Sequence, residues 1–542
     1  MFAPFAWAAR SPEASEEQRL DAYVRARLAE GDGALLAAAR AYREAAALDP
    51  GSVEVAIRGY RQAVLAGDKG LALSAARSLD AADTLPRDAP ILLLIDALDG
   101  GKWDEARGLI SRLEQEESLA FVVPFMTSWV SLRDGPYDPP VVPVDKPYAM
   151  FAVRYLEEQL LLQRLAQGDA SGAADAYRQA KLRGTALGAE ERAQMAARFA
   201  ALGRRDTALD LLGGEASAGR DPLQALTDAE RRYAKVRFTA QTGLGKLLYR
   251  LALDLLGHGE DSATLSIARM ASFADPGSED IRLLVAEATL GAGHADAAYA
   301  EAAGIAEGSA VWLAAQSVRL RALLEQDRVA EAVAGARKLA GDSDDPRRWR
   351  LLGDILTGTG DFAGAAQAYV QARSRMANKD DPALLLQLSA ALERAGRWSE
   401  AKPMLEKVIE LAPDSATALN HLGYALADRG EDLPRAITLL EKANRLRPDE
   451  PAFVDSLGWA LFRAGENEKA LPLIRRAVAA EPGNPELNEH LGDILWAMGR
   501  RFEARYAWKA ALVGVDDDGE GARLRSRVER KLGDAGVVVG NP

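Results

Sequence analysis

Between Pro451 and Pro482 the chain reads PAFVDSLGWALFRAGENEKALPLIRRAVAAEP, and its apolar positions fall into two runs at helical spacing. Val454, Leu457, Leu461 and Phe462 make one stripe, and Ala470, Ile474 and Ala477 make a second. Residues three and four apart share one face of a helix, so each run predicts a helix with a single apolar side. Gly458 sits where two such helices would cross closely, and only a small residue fits there. Gly465 is expected to end the first helix in the left-handed conformation that glycine adopts at little cost. Pro482 cannot continue a helix and opens the next unit.

The frame then recurs. Leu457, Gly458, Gly465 and Ala470 return 34 residues later as Leu491, Gly492, Gly499 and Ala504. One unit earlier, after a single inserted residue, stand Leu422, Gly423, Ala436, Ala443 and Pro448. A helix pair repeated at this period with this pattern is the signature of the tetratricopeptide repeat (TPR). The prediction is an all-α fold: a right-handed TPR α-solenoid of about fourteen helix pairs, closed by a C-terminal capping helix.

The same spacing divides the chain. Residues 1–18 begin with an apolar run in which Ala6-Trp7-Ala8 fits a small-x-small cleavage site, without the basic start of a full signal peptide. They are expected to be a signal-peptide remnant or a disordered N-terminus. Residues 19–212 read as a degenerate TPR-like array, interrupted at 135–147 by five prolines in thirteen residues. Proline removes a donor and clashes with the preceding turn, so this stretch predicts an extended surface loop, read as a rigid spacer. Residues 213–221, GGEASAGRD, are the expected linker. A C-terminal array follows over 222–516, most regular at 416–516. Residues 517–542 hold the cap and tail, with Arg523, Arg525, Arg527, Arg530 and Lys531 on a helix expected over Gly521–Leu532.

Composition narrows the function. The net charge is −13 and the pI about 5.1, which repels phosphates, and no basic stripe with interleaved aromatics offsets it. Nucleic acid is therefore excluded as a partner. There is no cysteine, so disulfides, thiolate zinc sites and a lipidated cysteine are excluded for this chain. No apolar run is long enough for a transmembrane segment. The four histidines make no pair at metal-binding helical spacing. His421 and His490 occupy one slot in two repeats, which predicts surface residues. Gly243-Leu-Gly-Lys246 lacks the first glycine and the Ser/Thr of a phosphate loop and reads as a helix start. Asp516 to Gly521 resembles a calcium loop, but Arg525 falls where the bidentate glutamate belongs. No catalytic, metal or cofactor site emerges, and the chain is expected not to be an enzyme.

Binding is expected instead in the groove lined by the first helix of each pair. In three successive units the inward positions supply Asn420 and Tyr424, then Asp455, Trp459, Phe462 and Arg463, then Glu489, Asp493 and Trp496. Aromatic anchors ringed by hydrogen-bonding groups suit a protein or peptide partner with apolar and basic side chains. Phe462 and Trp496 fit equally well as residues packed on the neighbouring repeat.

The phrases NHLGYALADRG (Asn420–Gly430), VDSLGWALFRAGENEKAL (Val454–Leu471) and NEHLGDILWAMGRRFEARYAWKAAL (Asn488–Leu512) resemble the C-terminal units of a family of long TPR proteins of Gram-negative bacteria. That family includes an outer-membrane lipoprotein adaptor that presents peptidoglycan hydrolases to a periplasmic carboxyl-terminal processing protease. The resemblance is strongest over the last quarter of the chain. It implies a scaffold or adaptor, with such a protease and cell-wall hydrolases as partners and a periplasmic or envelope location. A cytoplasmic scaffold of a multiprotein complex is the alternative reading.

Overall fold

The computed structural model describes residues 15–117, 119–134, 136–185, 187–213, 221–256, 261–513, 515 and 519–536. Most of the expected N-terminal segment, most of the 213–221 linker and half of Asp516 to Gly521 lie outside these residues. Everything described is helix, turn or irregular chain, with no strand, as an all-α TPR solenoid requires. The chain divides into two compact units, Met1–Gly335 and Ala336–Pro542.

The second unit is punctuated with great regularity. Its first helices are Pro346–Gly358, Pro382–Arg394, Ala416–Arg429, Pro451–Arg463 and Pro485–Ala497. Four of the five carry proline in the first turn, where its missing N–H is no loss. Asp345, Asp381, Ser415 and Asn484 cap them by accepting backbone N–H bonds. Each first helix is followed by a glycine at positive φ: Gly360, Gly396, Gly430, Gly465 and Gly499, between +67° and +82°. Gly465 thus ends its helix as its spacing predicts.

Close crossing sets the pair geometry. A Cβ on Gly458 would stand 2.7 Å from Ile474 Cδ1, and one on Gly423 would stand 2.6 Å from Leu440 Cγ. Ala401, Ala436, Ala470 and Ala504 recur in one slot of the second helices, and all are fully buried. With glycine on the first helix and a large side chain of the second lying against it, there is no room for a larger residue at the crossing. Inserting methylenes into such a seam costs typically about 1–3 kcal/mol.

The first unit obeys a looser rule. Its helix pairs start with Glu16–Gly31 and Leu35–Leu48, and one buried cluster runs from Ala22 to Val285. The expected linker lies inside this unit, with Leu211 before it and Leu226 after it in the same core. Helix Asp261–Ala274 returns to the start of the chain: Arg269 Nε donates to Leu65 O (2.9 Å) and Lys69 Nζ to Phe273 O (3.3 Å). Two helix starts also cap each other. Glu190 Oε2 accepts from Ser278 Oγ (3.1 Å) and Asp280 N (3.1 Å), while Asp280 Oδ2 accepts from Glu191 N (3.0 Å). Carboxylates at helix N-termini complement both the orphan donors and the dipole. The described part of the proline-rich loop is irregular, with Val141 and Val144 exposed. Tyr137 ties it down by donating to Gln163 Oε1 (2.9 Å).

Candidate partner-binding groove

The three regular first helices of the second unit lie side by side, and their lateral contacts show which way the array bends. Tyr424 Oη donates to Glu486 Oε1 at 2.9 Å, although a whole helix pair intervenes in sequence. A first helix can touch the first helix two units on only where the array curves toward that side. The contact places Tyr424 on the concave side, and side-chain contacts join Asp455, Trp459, Phe462 and Arg463 into one cluster and Glu489 and Asp493 into another.

They do not all serve alike. Asp455 and His490 are 4% and 5% exposed, and Asp455 Oδ2 lies 2.9 Å from His490 Nδ1. Trp459 stacks on His490 with ring centroids 4.0 Å apart and planes at 16°. Burial disfavours the charged imidazole, but the Asp455 carboxylate, with Glu486 and Glu489 nearby, outweighs it and raises the His490 pKa. The expectation that His490 is a surface residue is overturned. Its ring fills the space between two repeats, where the preceding unit supplies both an aromatic face and a counter-charge. His421, in the same slot, is half-buried against Glu393 at 2.6 Å.

Glu489 is also withdrawn, at 3% exposure. It pairs with Arg527 (2.7 Å) and Lys531 (2.7 Å), and Lys531 reaches Asp493 at 2.6 Å. Burial pushes the Glu489 carboxyl up, but its bonds to Arg527 and Lys531 prevail and hold it below the usual range. Both cations come from helix Gly519–Asp534, which is anchored by the fully buried Val528 and Leu532. The basic terminal helix is thus a wall of the groove as well as its end cap. Its role was readable in one respect: Arg527 and Lys531 are four apart, as are Glu489 and Asp493, so the two faces match in spacing and sign.

The remaining positions are half-exposed. Phe462 lies 5.2 Å from Trp459, and Trp496 lies 5.2 Å from Trp508 beneath the Arg501 guanidinium. Phe462 thus packs on its own helix and Trp496 on the second helix of its own pair, and both are half-buried. Arg463 reaches Asp428 at 3.5 Å and lies over the Trp459 ring. Asn420 Oδ1 and Trp459 Nε1 are sheltered atoms with no hydrogen-bond partner among the described residues. Glu486, Arg527 and Lys531 complete the surface, and Gln387, in the slot of His421 and His490 one unit earlier, donates to Asp354. Gln387 was missed because its repeat carries Ser389 where the others carry the crossing glycine. An open part of the same unit, a cavity of about 730 Å³, is lined by the Thr357–Ala363 turn, Arg394, Gly519 and Arg523. Among the described residues, no group of three or more His, Asp or Glu side chains is placed to hold a metal, and no helix is long and apolar enough to cross a membrane.

Two family models match this region: residues 386–451 and residues 451–494 are each matched by a tetratricopeptide repeat model. Residues 386–494 are TPR repeats. No curated protein matches the chain. Among solved structures, a thermophilic TPR protein from Thermus thermophilus is 25% identical, covering 34% of this chain and 98% of its own, with a TM-score of 0.31. The Cut9–Hcn1 hetero-tetramer of the APC/C is 15% identical over 94% of this chain and 96% of that one, with a TM-score of 0.41. A TPR protein from Parabacteroides merdae is 13% identical over 53% and 98%, with a TM-score of 0.35.

Proposed function

We propose that the chain is a non-enzymatic scaffold that binds protein or peptide partners along the concave first-helix face of its second unit. The observation that carries this reading is the Tyr424–Glu486 contact across two repeats. On the same three helices Asn420, Tyr424, Phe462, Arg463 and Trp496 are half-exposed, and Asp455, Trp459 and His490 form a buried cluster. Half-exposed aromatic and polar side chains beside a buried cluster are the makings of a binding hot spot.

The test uses half-exposed residues at the edge of the buried cluster. Peptides selected from a display library against the intact chain are measured against a variant carrying Asn420→Ala, Phe462→Ala and Arg463→Glu. Binding should weaken by about tenfold or more while helicity is unchanged. Undiminished binding would place the partner surface elsewhere.

Within this reading the partners belong to the cell envelope. Support comes from the resemblance carried by Asn420–Gly430, Val454–Leu471 and Asn488–Leu512. The chain would bring cell-wall hydrolases to a carboxyl-terminal processing protease. Fractionation of the native protein, followed by mixing with the processing protease of the same organism, tests both statements. Recovery in the envelope with co-elution of the protease is expected. Recovery in the cytosol alone leaves the cytoplasmic scaffold.

A further inference from the structure

The Gly243-Leu-Gly-Lys246 stretch fails as a phosphate loop, yet it delivers a lysine whose ammonium the described residues leave without a hydrogen bond. It lies early in helix Ala240–Leu256. Its glycines are packing residues: a Cβ on Gly243 would enter the Trp129 ring, and one on Gly245 would stand 2.8 Å from Asp275 Cβ. Seated this closely, the helix turns Lys246 inward to 3% exposure. Among the described residues, the one ion-pair contact of its ammonium is Glu191 Oε1, at 4.0 Å. An ammonium has three donors, and burying them unused is costly.

Lys246 lines a cavity of about 380 Å³ in the first unit, within the range of about 300–1,000 Å³ usual for small-molecule sites. Much of the polar lining is already engaged. Glu190 caps a helix start, Arg232 holds Glu279 (2.5 Å) and Gly308 O (2.8 Å), and Arg282 donates to Gly304 O (3.0 Å). Among the described residues, four lining groups make no hydrogen bond: the Lys246 ammonium, the Asp275 carboxylate, the Gln194 amide and the Tyr233 hydroxyl. Val236 and Phe238 add an apolar wall.

We infer that this cavity binds a free α-amino acid as its zwitterion. A simple anion would suit Lys246 and Arg237 but would meet Asp275, Glu190 and Glu279. A simple cation would suit Asp275 but would meet Lys246. A small molecule carrying both signs satisfies both groups, with its carboxylate on Lys246 and its ammonium on Asp275. Gln194 offers a donor and an acceptor to the same two ends. The ligand side chain lies along Val236 and Phe238, which selects an apolar amino acid. This site belongs to the first unit and does not depend on the scaffold reading.

The test is calorimetric titration of the full chain with individual L-amino acids at concentrations up to about 10 mM, enough to register a Kd near 1 mM. Saturable one-to-one binding by an apolar amino acid is expected. It should weaken at least about tenfold in Asp275→Asn and in Lys246→Met. Because Lys246→Met also removes the counter-charge of Glu191, Tyr233→Phe serves as a milder variant and should weaken binding without altering the thermal midpoint. No heat and no thermal shift with any amino acid overturns the assignment. So does binding that survives both Asp275→Asn and Tyr233→Phe.

Discussion

The two units differ in how completely they meet the charges they bury. In the second, Asp455 has a near partner in His490 of the adjacent repeat, and Glu489 has Arg527 and Lys531 of the cap. In the first, Glu158 and Glu191 keep buried oxygens with no hydrogen bond among the described residues, although Arg250 Nε lies 3.1 Å from Glu158 Oε2 and Lys246 4.0 Å from Glu191. Burial, with Glu191 beside it, holds the Glu158 carboxyl well above its usual pKa. A repeat lattice supplies a counter-charge at every step; a core closed by distant helices leaves some groups to share protons or to wait for a ligand.

The largest effect should come from cutting a satisfied pair. Asp455→Ala leaves His490 buried beside Glu486 and Glu489 with its principal partner gone. It should cost the second unit about 3–5 kcal/mol, read by hydrogen exchange over residues 451–497. Glu158→Gln in the first unit keeps the shape of a carboxyl whose charged form burial already disfavours, and should cost clearly less at neutral pH. Equal losses from the two substitutions would break the contrast.

Next comes the seam. Gly458→Val must displace Ile474, and about 1–3 kcal/mol should be lost by chemical denaturation. Gly483→Ala, with nothing near its Cβ, should cost far less.

The smallest effect is a pH dependence. The His490 pKa is raised in the folded chain, so its stabilising contribution is complete below the unfolded value of about 6.5 and is lost as pH rises through the folded value. The groups facing it are Asp455, Glu486 and Glu489. Protection of 451–497 should therefore fall from mildly acid to mildly alkaline conditions, and His490→Gln should flatten the fall.

Much of the second unit was legible in the chain because its contacts repeat at a fixed offset. Gly458, Gly465 and Ala470 announce the crossing, the turn and the seam, and the nine inward positions follow from the same frame. The burial of His490 was hidden because its slot holds Ser456 one repeat earlier, so no slot preference could be read. Of the use of Glu489 and Asp493 by the cap only the matched four-residue spacing was readable, because nothing in the repeat frame says which helix the cap lies against. The first unit was less legible for a different reason. Its polar interior joins residues that no period relates, such as Glu190 with Ser278, 88 apart, and Gln159 with Gly243, 84 apart. Lys246 was therefore visible only as part of a failed motif.

The central claim is that partners dock on the concave first-helix face. The most direct measurement is hydrogen exchange of the intact chain with and without a selected peptide. Protection is predicted on helices 416–429, 451–463 and 485–497, with little change on the second helices 433–446, 467–480 and 501–513. Protection confined to those second helices, or to residues before 336, would contradict it.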